Sequence, residues 1–267
     1  MKPTAIIQAR MGSTRLPGKV LAPVLGRPML SFVMERVRLA PSVAQVVVAT
    51  SDTPEDEPIR QFCRQNNVPV FGGSLSDVLD RYYRASLRFP ADPVLRITAD
   101  CPLVDPKLIE RLLQMYMSGS YDYVAIAAGA GARSVPGGHF PDGLDCECFS
   151  FGVLERAWRE AHDPRDREHV TPYAWRQKNI FRCGMLTSEC DYGHLRLTVD
   201  YPQDLQVITA IYSELYNPAR PFSFEDVIAF LAEHPEIVKQ NQPLIGAHRR
   251  HSSASQDYAD ARNSDSL

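Results

Sequence analysis

Between residues 4 and 127 the chain alternates short apolar runs with segments whose apolar residues recur every three or four positions. That rhythm restricts its fold more than any other feature. Residues 4–8 (TAIIQ), 44–50 (AQVVVAT), 68–71, 93–98 and 121–127 read as strands. The unbroken β-branched run in 44–50 is the pattern of a parallel strand covered on both faces. Between the strands, Met29, Phe32, Val33 and Val37 mark one helix, and Ile59, Phe62 and Cys63 a second. Val78, Leu79, Tyr82 and Ala85 mark a third, and Leu108, Ile109, Leu112, Leu113 and Tyr116 a fourth. Thr53-Pro54-Glu55-Asp56 and Asp105-Pro106 supply helix starts, with a capping side chain before a proline whose fixed φ suits the first turn. Strand–helix alternation of this kind predicts an α/β fold: a Rossmann-like open, mostly parallel sheet with helices on both faces.

After Ala128 the rhythm changes. Residues 129–143 (GAGARSVPGGHFPDG) are too rich in glycine and proline for a regular element and read as a functional or connecting loop. Strands are expected at 146–151, 180–186 and 195–199. Helices are expected at 153–162, from Arg167 where Arg167-Glu168-His169-Val170-Thr171-Pro172-Tyr173 opens one, from Pro202 through Leu205, Ile208, Tyr212 and Leu215, and at 223–231. Residues 246–267 hold almost no large apolar side chain and are expected to form a disordered tail. Residues 1–245 are then one domain, with an acceptor or dimerisation subregion around 129–190.

The formal net charge of −3 argues against a nucleic-acid partner held by charge. No apolar run approaches the roughly 20 residues of a membrane span. The N-terminus enters a strand with no secretory pattern, and none of the six cysteines shows the C-x₂-C spacing of a zinc site. Cytoplasmic location with free thiols is the expectation.

Chemistry is concentrated where the first strand ends. The loop Ala9-Arg10-Met11-Gly12-Ser13-Thr14-Arg15-Leu16-Pro17-Gly18-Lys19 follows the carboxyl end of that strand, the side on which parallel sheets bind ligands. Glycines admit close approach of backbone N–H groups to an anion, and two arginines and a lysine neutralise it, so a polyphosphate suits the loop. It is not a Walker A loop: five residues separate Gly12 from Gly18, and Val20 follows Lys19. Further on, Asp100 (RITADCPLVDP) and Asp200 (RLTVDYPQDL) each close a β-rich run behind an Arg-x-Thr. For each, two readings stand, a Mg²⁺ ligand or the cap of a following turn. Asp204 is a group behind the ligand or an ordinary first-turn acid.

Residues 6–21, IIQARMGSTRLPGKVL, resemble the opening motif of cytidylyltransferases that make CMP-activated acidic sugars, which implies a sugar-like or acidic acceptor. The likeness is nearest to the branch named for spore coat polysaccharide biosynthesis protein F, with CMP-Kdo and CMP-acylneuraminate synthetases as relatives. It extends through GSLSDVLDRY, RITADCPL, PDGLDCE, REHVTPY and RLTVDYPQD, covering roughly residues 1–235, with Ala99 where the family usually has glycine. The resemblance implies a nucleotide-diphospho-sugar transferase-like fold and transfer of CMP from CTP, with release of pyrophosphate, in surface polysaccharide synthesis. It implies that Ala9 faces the cytosine, while Arg10, Gly12, Ser13, Arg15 and Lys19 line the triphosphate. Asp100 and Asp200 would bind Mg²⁺, Ser74 and Asp77 would lie near the base, and Asp142, Asp145, Glu168 and His169 would shape the acceptor pocket or a subunit contact of a homodimer. Two other functions stay open at this stage: a nucleotide-sugar-dependent glycosyltransferase, though neither aspartate sits in a D-x-D, and a non-catalytic nucleotide-binding partner protein. A guanylyltransferase would share the glycine-rich opening.

Overall fold

The computed structural model describes residues 2–128 and 136–247. The start of the 129–143 loop and nearly all of the expected tail lie outside the described residues. Strand β1 (Thr4–Gln8) leads through the basic loop into a one-turn 3₁₀ helix (Lys19–Leu21), a small hairpin of β2 (Pro23–Val24) and β3 (Arg27–Pro28), and helix α1 (Met29–Arg38). There follow β4 (Gln45–Ser51), α2 (Glu57–Gln65), β5 (Val70–Gly73), α3 (Val78–Arg88), β6 (Val94–Thr98) and α4 (Pro106–Met117). Next come β7 (Tyr123–Ile126), β8 (Glu147–Phe149), α5 (Phe151–Glu160), α6 (Pro164–His169), α7 (Pro172–Arg176) and β9 (Cys183–Leu186). The described chain closes with α8 (Pro202–Leu215), α9 (Phe224–Glu233), α10 (Pro235–Val238) and a final 3₁₀ turn.

Seven strands form one sheet in the order β5-β4-β1-β6-β8-β7-β9. All neighbours are parallel except β8, which runs antiparallel to both β6 and β7. The expected Rossmann-like, mostly parallel sheet is therefore present. Alternate residues of each strand feed two apolar layers, as a period of two requires. Ala5, Ile7, Val48 and Ile97 face one core with α1, α4, α8 and α9; Ile6, Val47, Ala49 and Val94 face the other with α3 and α5.

From β1 the chain proceeds to β4 and β5 on one side, then returns to place β6 on the other. The sheet thus reverses its winding between β1 and β6, and a crevice opens above their carboxyl ends, where Gln8 lies beside Thr98.

Two expectations need correction. Residues 195–199 are not a sheet strand. They are an extended segment laid across the end of the sheet, where the Leu197 N–H reaches the Asp142 carbonyl at 2.7 Å and the Val199 N–H the Asp100 carbonyl at 2.9 Å. Asp200 therefore ends a crossing segment rather than a strand. Similarly, Arg167-Glu168-His169 close α6 instead of opening a helix. Val170, at φ 72°, breaks the helix, and Thr171-Pro172 starts α7.

Candidate active site

A cavity of about 590 Å³ fills the crevice and is lined by Gln8, Arg10, Ser13, Thr14, Arg15, Lys19, Thr98, Ala99, Asp100 and Asp200, with Val20. The basic loop is held in shape by its own backbone. The Met11 carbonyl accepts from Ser13 N at 2.8 Å and Gly18 N at 2.9 Å, which draws the two ends together. Met11 N donates to buried Asp56 at 2.7 Å, and Asp56 also accepts from the Thr50 hydroxyl and Ser51 N, each at 3.0 Å. The acid expected only as part of a helix start thus fastens the loop to β4. Gly18, at φ 72°, makes the left-handed turn that sends Lys19 inward.

Lys19 is buried, and its ammonium uses all three hydrogens: Asp100 Oδ2 at 2.8 Å, Asp200 Oδ1 at 2.9 Å and the Val199 carbonyl at 2.7 Å. Burial works against the charged amine, but the two carboxylates outweigh it and raise its pKa. The reverse holds for Asp100 and Asp200. Desolvation opposes their ionisation, Lys19 more than offsets it, and both stay below the usual carboxylate range. Asp200 also meets Arg15 at 2.7 Å, and its Oδ2 accepts from Arg196 at 2.8 Å.

Arg196 organises this side. Its buried guanidinium reaches Asp204 at 2.9 and 3.1 Å, and Asp142 at 3.0 Å. Asp204 is fully buried and accepts from Asp200 N at 2.9 Å and Tyr201 N at 3.0 Å, so it caps α8 and fixes Arg196 together. The arginine of the other Arg-x-Thr is likewise anchored on a carboxylate. Arg96 pairs at 2.5 Å with Glu147, which also accepts from the Tyr123 hydroxyl at 2.5 Å and the Thr171 hydroxyl at 2.7 Å. Asp204 is the group behind the ligand that the sequence offered as one of two readings; Glu147 was not evident as an anchor, and its signal was the repeated Arg two residues before a threonine and four before an aspartate.

Asp142 and Asp145 border this cluster. Burial first, then the charge of Asp145, pushes the Asp142 carboxyl up to about 7. Burial, with Glu147 and Asp100, pushes Asp145 up to about 6. Gly143 between them, at φ 108°, packs on the backbone of the crossing segment, where an added Cβ would lie 2.3 Å from Leu197 C and Thr198 N. Gly143→Ala is therefore expected to displace residues 197–198 and lower stability by about 2–4 kcal/mol. Urea unfolding of the variant and the wild type checks this.

The other expected residues lie around the cleft without lining the cavity. The Ser74 hydroxyl accepts from Asp77 N at 3.0 Å, and Asp77 caps α3 through Asp80 N at 2.9 Å while Arg167 grips its carboxylate at 2.6–3.1 Å. Ala9 is buried, and Gly12 has open space where a Cβ would stand. Glu168 and His169 are exposed. Desolvation of the His169 ring lowers its pKa against the opposing charge of Glu168, and Arg96 and Arg10 add to the lowering. The sequence reading also passed over Arg81, which is fully buried with Nε and Nη1 unpartnered.

Residues 4–215 match the family described as Cytidylyltransferase. The chain belongs to the cytidylyltransferase family. It is 34% identical over 246 residues to an uncharacterised protein of Methanocaldococcus jannaschii, covering 90% of this chain and 95% of that one. Spore coat polysaccharide biosynthesis protein SpsF of Bacillus subtilis is 31% identical, over 89% of this chain and 97% of its own. The solved structure of a cytidylyltransferase from Leptospira borgpetersenii serovar Hardjo-bovis superposes with a TM-score of 0.80 at 31% identity, covering 89% of this chain and 97% of that one. The resemblance read from the motifs is thereby borne out.

Among the described residues no group of three or more His, Cys, Asp or Glu side chains forms a metal cage. What this cytidylyltransferase offers is a pair: Asp100 and Asp200 converge on one cation, the Lys19 ammonium. Two carboxylates completed by phosphate oxygens are a donor set that suits Mg²⁺. The residues present therefore fit that ion.

Proposed function

We propose that the protein transfers CMP from CTP to a hydroxyl of a sugar-like acceptor, with Mg²⁺, in the synthesis of a surface polysaccharide. The observation that carries this reading is the clamp of Lys19 between Asp100 and Asp200 at the mouth of a cationic, glycine-containing loop. In such a reaction the acceptor oxygen bonds to the α-phosphorus as the bond to the departing pyrophosphate breaks, and the protein supplies position and charge.

Arg10, Ser13, Arg15 and Lys19 line the cavity and are assigned to the triphosphate, as is Gly12 of the same loop. Ala9, Ser74 and Asp77 are assigned to the cytidine side, the latter two by ordering the turn before α3. Asp100 and Asp200 would hold Mg²⁺, which supplies charge neutralisation at the phosphates. Asp142, Asp145, Glu168 and His169 are assigned to the acceptor side. We also propose a homodimer acting in the cytoplasm; among the described residues no helix is long and apolar enough to cross a membrane.

The test is pyrophosphate release from each of the four NTPs with Mg²⁺ and a panel of sugar acids, amino sugars and polyols. Release from CTP alone among the four supports the reading. Equal release from GTP, or sugar transfer from a nucleotide-sugar, overturns it.

A further inference from the structure

The chain beyond α8 lies outside the residues matched by the family, yet it reaches the residues that hold Asp200. Asn241, between α10 and the last 3₁₀ turn, is 2% exposed. Its Nδ2 donates to the Arg196 carbonyl and to Asp204 Oδ1, both at 2.9 Å. The main-chain carbonyl of Asn241 accepts from Leu244 N at 2.9 Å, which ties the backbone at Asn241 to the last 3₁₀ turn. One amide thus joins the two residues that hold Asp200: Asp204 binds the Asp200 backbone N–H, and Arg196 binds its Oδ2.

We propose that Asn241 is a positioning residue for the metal-side carboxylate, and that residues 224–247 serve the reaction through it. The inference rests on the function proposed above. Its physical basis is the donor count. Asp204 is fully buried, and its Oδ1 accepts from Arg196 Nε and from Asn241; without the amide, that oxygen keeps one donor and the Arg196 carbonyl loses its partner. A buried acceptor left unpaired draws its neighbours into new positions, and here the neighbours are the groups that aim Asp200. Side chains standing behind a metal ligand commonly control affinity and rate in this manner.

Two variants separate positioning from bulk. Asn241→Ala removes the donor and leaves space. Asn241→Asp keeps the shape but can only accept, and it would set a second carboxylate against Asp204. Both are expected to weaken Mn²⁺ binding to the full chain with CTP by about 10-fold or more, read from the electron paramagnetic resonance signal of free Mn²⁺. The kcat for pyrophosphate release should fall by about 10- to 100-fold, while the KM for CTP changes little. Asn241→Ser, which still donates one hydrogen bond, should fall between and decides the matter if the other two do not fold.

Unchanged Mn²⁺ affinity in the folded variants, with kcat per folded molecule within about twofold of the wild type, overturns the inference. Wild-type protein that binds no Mn²⁺ in the presence of CTP would sink the proposed metal chemistry as well. Normal wild-type binding with indifferent variants sinks only the role of Asn241.

Discussion

Lys19→Met is expected to cut pyrophosphate release from CTP by about a hundred- to a thousandfold, the usual loss when a fixed charge facing the reacting phosphates is removed. Methionine has similar length and packs against the same walls, so the effect isolates the ammonium. The same change should destabilise the protein by about 3 kcal/mol in chelator, because Asp100 and Asp200 are left facing each other without the cation they share. Arg15→Met provides the contrast. That guanidinium is one-third exposed, pairs with Asp200 and lies over the Tyr201 ring, so its loss should cost about 1 kcal/mol or less. Added Mg²⁺ should restore stability to Lys19→Met more than it stabilises the wild type, since an ion can neutralise the carboxylates that the amine no longer serves. Urea midpoints with chelator and with Mg²⁺, beside pyrophosphate assays, check all three. Retention of activity within a few-fold of wild type would remove Lys19 from the reaction and the clamp from the argument.

The parts of this site that were legible in the sequence are those encoded locally. A strand followed by a glycine- and arginine-containing loop announces a ligand at the strand's carboxyl end, and Arg10, Arg15 and Lys19 line the cavity there. Asp100 and Asp200 were recognisable from their repeated context, and the structure brings both onto one ammonium across 81 and 181 positions of chain.

Less was legible wherever a residue's role depends on a distant partner. Residues 195–199 have the β-branched and apolar content of a strand, but strand content does not tell which neighbour accepts the N–H groups. Here the acceptors are Asp142 and Asp100, off the end of the sheet. Asn241 carries no local signal at all, because an asparagine in a polar turn looks the same whether it faces water or Asp204. Val170 is the third case. A β-branched residue in the left-handed region opposes local preference, and the turn is fixed by what flanks it: Asp166 O accepts the Val170 N–H at 2.9 Å, and the Thr171 hydroxyl is drawn to Glu147.

Asp142→Asn is expected to remove much of the pH dependence contributed by the acidic pair. The sign follows from the direction of the shift. A carboxyl whose folded-state pKa lies above its unfolded value near 4 favours the folded protein when protonated, so its contribution is fully present below about pH 4 and is lost as pH rises through the folded value. For Asp142 that value is about 7, set by burial and by Asp145, with Arg196 opposing. Between pH 4 and 8 the wild type should therefore lose on the order of 2–4 kcal/mol relative to the asparagine variant, shared across a pair that titrates together. Urea midpoints at pH 5 and pH 8 in chelator should show the variant gaining on the wild type at the higher pH; parallel curves would refute the assignment. Arg196 also donates to Asp142, and an asparagine oxygen can still accept there, so loss of that contact does not dominate. The same charges connect this effect to catalysis. Asp100 and Asp200 are among the groups that raise Asp142, so a divalent ion neutralising them should draw its pKa down and release protons near pH 7. Calorimetric titration with Mg²⁺ and CTP in two buffers of different ionisation enthalpy measures that release, which should shrink in Asp142→Asn.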